Sequence, residues 1–273
     1  MSAPDDSPEA PRIDTGRPHP ARMYDWFLGG KDNYPVDEAM GRQLMALEPN
    51  IPLITRINRA FMRRATHWAA AQGIRQFLDI GAGIPTEPNL HQVAQRVAPE
   101  ARVVYCDHDP IVLAHAEALL RGSAEGAIDY VQADARDPEV ILQRAGEVLD
   151  FGRPVALSMI ALLHFLSDAD GARTVVERLT DALAPGSCLT LSHITTDFHS
   201  ARIAREADSR YKAGGLTLAP RDRAAFTRFF TGLELVAPGV VLAEQWHPEL
   251  GEPVAGQEAG FVSAMYAGVA RTR

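Results

Sequence analysis

Only two of the 273 residues are cysteine, too few for a disulfide framework. Cys106 and Cys188 each lie inside an apolar, strand-like run, so both read as buried thiols suited to a reducing cytoplasm. Positive charge is also short. The net charge of −8 argues against a general affinity for nucleic acid, because phosphate binding needs a surplus of Lys and Arg on one face. Long apolar runs are missing: the longest, 154–166, contains His164 and is too short to cross a bilayer. The N-terminus is rich in proline and acids and has no apolar leader segment. No pair of His, Cys or acidic residues has a metal-ligand spacing with a matching second pair, and no catalytic triad is evident. These absences leave a soluble cytoplasmic protein with no membrane or nucleic-acid partner and no metal. Its assembly state is open, with a homodimer compatible.

What is present is 46% hydrophobic residues in a length that suits one large domain with an appendage. Residues 1–20 carry Pro4, Pro8, Pro11, Pro18 and Pro20 among small and charged residues, a composition that predicts a disordered tail. The segment 21–34 is dense in aromatics and broken by Gly29-Gly30. Helical patterns follow at 36–47 and 53–72, the second with Ile54, Ile57, Phe61, Ala65 and Trp68 on one side. Together 21–72 read as an N-terminal helical cap. From residue 73 strand and helix alternate. Strands are expected near 75–80, 102–107, 127–132, 154–160 and 187–193, and helices near 86–98, 110–121, 138–149 and 168–184. This alternation predicts an α/β fold with an open, mostly parallel sheet covered by helices on both faces. The remainder to 273 holds a helical insert at about 198–219, a helix near 221–230 and strand-like pieces at 233–236 and 261–269.

The chemistry-bearing signal is Phe77-Leu78-Asp79-Ile80-Gly81-Ala82-Gly83 together with a second apolar run that ends at Asp107. A buried strand that stops in a glycine turn lets a ligand approach its backbone. A strand-end carboxylate suits the two hydroxyls of a ribose. Two adenosine cofactors compete for this pattern. A dinucleotide motif needs a third glycine, where this chain has Thr86 preceded by Pro85. Asp79, two residues before the first glycine, would repel a pyrophosphate and favour the ammonium of S-adenosyl-L-methionine. Asp134 follows the third strand, where an acid can accept from an adenine amino group, although Asp137-Pro138 makes a helix-start reading available too.

The order Asp-x-Gly-x-Gly, Asp107, Ala133-Asp134 resembles class I S-adenosylmethionine-dependent methyltransferases. Ala21-Arg22-Met23-Tyr24-Asp25-Trp26-Phe27-Leu28-Gly29-Gly30-Lys31-Asp32-Asn33-Tyr34, Arg56-Ile57-Asn58-Arg59 and Gln76 to Thr86 resemble, more narrowly, an actinobacterial methyltransferase family long catalogued as a domain of unknown function. Ala184-Pro185-Gly186-Ser187 and Leu191-Ser192-His193 extend the likeness. The resemblance implies a Rossmann-like, seven-stranded sheet with the last strand antiparallel. It also implies cofactor contacts from Asp79, Gly81, Ala82, Gly83, Asp107, His108, Asp134 and Ala135. His108 departs from the apolar or amide side chain usual beside adenine.

Methyl transfer from a sulfonium needs alignment more than acid–base help, so a missing triad weighs little against activity. Residues 22–34 are a candidate lid, with Tyr24 covering the cofactor and Arg22 or Arg59 pairing with its carboxylate. A segment that merely docks the first helix is the alternative. His164 and His193, after the fourth and fifth strands, are candidate general bases, or else hydrogen-bonded core histidines. Tyr211 and Trp246 are candidate acceptor-pocket residues. The expected function is methyl transfer to an oxygen or nitrogen of a small-molecule acceptor. A cofactor-binding sensor or inactive scaffold and an NAD-dependent oxidoreductase are the rivals.

Overall fold

A computed structural model describes residues 14–119 and 122–273. The expectations for residues 1–13 and 120–121 therefore lie outside the described residues. Three helices come first: α1 (Pro20–Phe27), α2 (Pro35–Met45) and α3 (Ile51–Ala71). Strands and helices then alternate as β1 (Gln76–Ile80), α4 (Leu90–Val97), β2 (Arg102–Asp107), α5 (Pro110–Leu119), β3 (Ala127–Gln132), α6 (Pro138–Ala145), β4 (Ala156–Ile160), α7 (Ala172–Asp181) and β5 (Cys188–Ile194). The chain closes with α8 (Ala201–Ala213), α9 (Arg223–Thr227), β6 (Glu234–Leu235), β7 (Val241–Leu242) and β8 (Met265–Arg271).

The strands form one sheet in the order β3-β2-β1-β4-β5-β8-β6, with β7 also paired to β8. The first five run parallel, and β8 lies antiparallel against β5, β6 and β7. The order reverses between β1 and β4, and the carboxyl ends on either side of that reversal open the crevice where α/β sheets hold ligands. Alternation along each strand sends residues to opposite faces. Leu78, Ile80, Leu157 and Met159 pack with Ile141 of α6 and Val176 of α7. Phe77, Val103 and Ala156 pack on the other face with Ile57 and Phe61 of α3 and Ala94 of α4. Asp79 shares the parity of Phe77, so its carboxylate falls on the face that α3 covers.

The observed elements differ from the predicted ones where local chemistry competes with periodicity. The aromatic segment at 20–27 is a helix, started by Pro20 and capped by the His19 ring, which accepts from the Ala21 amide at 3.3 Å. Residues 86–89 are not helical: Pro88 interrupts, and Asn89 Oδ1 accepts from the Thr86 amide at 2.9 Å before α4 begins. Helix α7 starts at Ala172, behind a turn that ends on Gly171 with φ 78°. The final strand lies at 265–271, entered through Ala264 at φ 48°. Among the described residues no helix is long and apolar enough to cross a membrane.

Trp246 packs edge-on against Phe61 and Trp68, with ring centroids 5.5 and 6.2 Å away, and is fully buried. Arg64 locks the surrounding turn by donating to the Trp246 and Ala243 carbonyls at 2.8 and 2.6 Å. Truncation of so large a buried ring, Trp246→Ala, is expected to lower the unfolding free energy by about 3–5 kcal/mol in denaturant titration. A loss under about 1 kcal/mol would contradict this packing.

Candidate functional site

Strand β1 ends at Gly81, whose φ of 75° and whose approach to Leu162 both require a residue without a side chain. A Cβ there would come within 2.8 Å of Leu162 Cδ1. The amides of Gly81 and Ala82 donate to the Cys106 carbonyl at 2.8 and 3.1 Å, which folds the turn onto the end of β2. Asp107 completes the join. One carboxylate oxygen accepts from the Gly83 amide at 2.8 Å, and the other accepts from the Asp109 amide at 3.1 Å. Two loops from neighbouring strands are thus held by one side chain.

Asp79 is buried at the centre of this edge, 7% exposed. Ser158 Oγ, its partner in register on β4, donates to one oxygen at 2.6 Å. The second oxygen has no hydrogen-bond partner among the described residues. Burial pushes this carboxyl up to about 6, against the opposing pull of the Ser158 bond and the Arg59 guanidinium. Arg59, from α3, donates to the Thr86 carbonyl at 2.6 Å and leaves its Nε buried without a partner.

These groups line a cavity of about 370 Å³ at the carboxyl edge of the sheet. Asp79, Gly81, Ala82, Gly83, Asp107, His108, Asp134, Ala135, Tyr24 and Arg59 all reach it. Asp134 does so while paired with Arg136, whose Nε and amide both donate to one carboxylate oxygen at 2.9 Å, and the pair holds the carboxyl below its usual range. His108 is mostly exposed, with its Nε2 3.1 Å from Nε2 of His19. His19 is hard to single out in the sequence because its proline-rich neighbours look like tail. The helix-cap position before Pro20 was the available signal.

A second cavity of about 150 Å³ adjoins the first, and Pro20, Tyr24, Ala161 and Phe165 line both. Ala161 holds a left-handed φ of 54°, an uncommon conformation that turns the chain sharply after β4. His164 and Tyr211 line this second cavity. Burial, the His193 ring and the Arg221 guanidinium push His164 well below the usual imidazole range. It therefore faces the cavity as a neutral ring, suited to hydrogen bonding and not to taking a proton. Burial alone pushes the Tyr211 hydroxyl up to about 12.

Three expected site residues are placed elsewhere. His193 is fully buried, with Nδ1 2.7 Å from the Ile194 carbonyl and Nε2 receiving from Arg221 Nη1 at 2.8 Å. Burial lowers it to about 3, and both ring nitrogens are engaged inside the core, away from either cavity. Trp246 belongs to the α3 core and lines neither cavity. Arg22 points away from the cofactor cavity into a buried node. It donates to the Asp14 and Arg17 carbonyls at 3.0 Å each and lies 3.6 and 3.7 Å from Asp37 and Asp109. The Gly29-Gly30 break is equally fixed: Asp25 receives the Asp32 amide and the Asn33 side chain at 2.9 and 3.0 Å, and a Cβ on Gly30 would overlap the Asp25 carboxylate. Among the described residues no group of three His, Cys, Asp or Glu is arranged for a metal ion.

The family model described as S-adenosyl methyltransferase matches residues 6–273 of this chain. A DUF574 family protein from Streptomyces avermitilis is 44% identical, with 96% of this chain and 100% of that one covered and a TM-score of 0.89. A Thermobifida fusca protein provisionally assigned as a methyltransferase is 37% identical, with 95% and 97% covered and a TM-score of 0.84. No curated protein matches the chain.

Two outcomes follow from the geometry. An ammonium beside Asp79 favours the ionised carboxylate, so cofactor binding should expel a proton. With a carboxyl near 6, affinity for S-adenosylhomocysteine should fall about tenfold between pH 7.5 and pH 5, and Asp79→Asn should flatten that slope. A wild-type affinity independent of pH over this range would refute the placement. Asp107→Ala, which removes a charged acceptor, should weaken the same ligand at least tenfold in calorimetry.

Proposed function

The chain belongs to the S-adenosyl methyltransferase family, and from that premise we propose that it methylates an oxygen or nitrogen of a small-molecule acceptor held in the second cavity. The observation that carries the proposal is the shared wall: a cofactor-sized cavity with a buried carboxylate opens beside a smaller, apolar one, with Tyr24, Ala161 and Phe165 between them. When bound, S-adenosylmethionine supplies an electrophilic methyl carbon whose bond to sulfur breaks as the acceptor bond forms.

The residues present fit that cofactor. Asp79 offers an unpaired carboxylate oxygen to an ammonium, and Arg59 offers unused guanidinium N–H groups to a carboxylate. Asp107 keeps lone pairs free for ribose hydroxyls beyond the two amides it already receives. The rigid glycine turn and the apolar second cavity serve orientation and exclusion of water, which can supply on the order of 7–11 kcal/mol of barrier lowering. His164 donates a hydrogen bond to the acceptor instead of abstracting its proton, and the proton leaves to solvent. Helix α1 and its folded loop act as a fixed lid over the cavities, because Asp25 pins Gly30, Asp32 and Asn33 to the helix and Tyr24 ties it to α3. Two buried thiols and an acidic surface suit a cytoplasmic enzyme acting on a small molecule and not on nucleic acid.

Calorimetric titration with S-adenosylmethionine, S-adenosylhomocysteine and NAD tests the cofactor side. Both S-adenosyl ligands should bind and NAD should not; tight NAD binding without the others would overturn the reading. On the acceptor side, radiolabelled methyl transfer to a panel of simple phenols and amines should give product with the wild-type protein. His164→Phe should lower kcat more than it raises KM.

A further inference from the structure

Helix α8 is a 13-residue helix with no buried residue, yet Ile203, Ala204, Ala207 and Tyr211 recur along one side of it. That side lines the second cavity together with Phe27, Leu44, Ile54 and Met265 on four other elements, and Tyr211 also packs against the small cluster of Met23, Phe27, Met40 and Leu44. Residues near both ends of the helix line the cavity. Tyr211, in the last turn, lies 6.2 Å from the Phe165 ring, which also borders the cofactor cavity. His199 lies just before the first turn, and the ten steps from Ala201 to Tyr211 span about 15 Å. The cavity is therefore long, apolar along its walls, and joined to the cofactor cavity near its Tyr211 end.

The far end is polar. His199 Nε2 lies 3.2 Å from Glu48 Oε2, and Glu48 Oε1 receives the Asn50 amide at 2.9 Å. A carboxylate only accepts, so in the neutral ring Nε2–H donates to Glu48 and Nδ1 keeps its lone pair. Nδ1 has no partner among the described residues, and both side chains are mostly buried while lining the cavity. A carboxylate and an imidazole lone pair at the His199 end of an apolar slot call for a hydrogen-bond donor, and a cationic one best matches the charge.

Resting on the methyl-transfer reading, we propose that the acceptor is an elongated apolar amphiphile. Its hydroxyl or amine nucleophile lies at the Tyr211 end and an ammonium group at the Glu48–His199 end. Glu48 and His199 are specificity residues here, about 15 Å along the slot from its Tyr211 end.

The test uses full-length protein saturated with S-adenosylhomocysteine and two probes, 4-(6-aminohexyl)phenol and 4-hexylphenol. Calorimetry should give at least tenfold tighter binding of the amine, and Glu48→Gln should reduce that preference to about twofold or less. Ala207→Trp, which fills the slot, should abolish binding of both probes while S-adenosylhomocysteine affinity stays within about twofold, which also reports that the variant folds. Equal affinity for the two phenols, an amine preference that survives Glu48→Gln, or probe binding that ignores Ala207→Trp would each overturn the proposal. Failure of wild-type protein to bind S-adenosylhomocysteine would instead sink the methyl-transfer reading beneath it. Normal cofactor binding with neither probe bound would sink this inference alone.

Discussion

A carboxylate buried with one hydroxyl for company is the constraint around which this molecule is arranged. Asp79 sits in the middle of a parallel sheet, on the face covered by α3, with Ser158 its one hydrogen-bond donor among the described residues. Burying an ion without a counter-ion is expensive, and the folded protein meets that expense by raising the proton affinity of the carboxyl. A core position this costly makes physical sense when a cation arrives from outside the chain. The glycine turn beside it gives that cation a path, and Asp107 fixes the turn in place. Arg59 is close enough to ease the charge without pairing with it, and one of its N–H groups is held by the Thr86 carbonyl.

The N-terminal cap closes this arrangement through a second buried charge cluster. Arg22 gathers the 14–17 strand of chain, α2 through Asp37 and the β2 loop through Asp109, and it lies over the Tyr34 ring at 5.3 Å. His19 belongs to the same cluster, 3.0 Å from Asp109, with its amide donating to Asp37 at 2.8 Å. Tyr24 anchors the helix to α3 by donating to the Thr55 carbonyl at 3.2 Å and receiving from Asn58 at 2.9 Å. The aromatic, glycine-broken segment therefore carries two jobs at once. Its charged residues build a fixed joint, and its Tyr24 ring walls off both cavities.

Strand positions and the glycine turn were legible in the sequence because they obey short-range rules: a short continuous apolar run for a strand buried on both faces, and a run that ends in Gly or Asp. Asp79, Gly81, Gly83, Asp107 and Asp134 could be named together because a parallel sheet brings every strand's carboxyl end to one edge. Helix starts were less legible where proline and capping residues overrode periodicity, as at Asn89 and Gly171. The roles of long-range partners were not legible at all. Arg22 and His193 carry suitable chemistry, yet what each touches depends on Asp109 and Arg221, far away in the chain. Trp246 looked like a pocket aromatic because nothing local reveals that α3 and the 243–247 turn enclose it. The Glu48–His199 pair spans 151 residues, and no spacing rule reaches that far.

We propose that the buried carboxylate inside β1 receives a cation from an S-adenosyl ligand while the carboxylate that ends β2 receives its ribose. A crystal structure of the protein grown with S-adenosylhomocysteine tests it most directly. The ligand's amino group should lie on the Asp79 side of the glycine turn, with both ribose hydroxyls within hydrogen-bonding distance of Asp107. A ligand bound in the opposite sense, with adenine toward Asp79, or one seated outside this cavity, would contradict it.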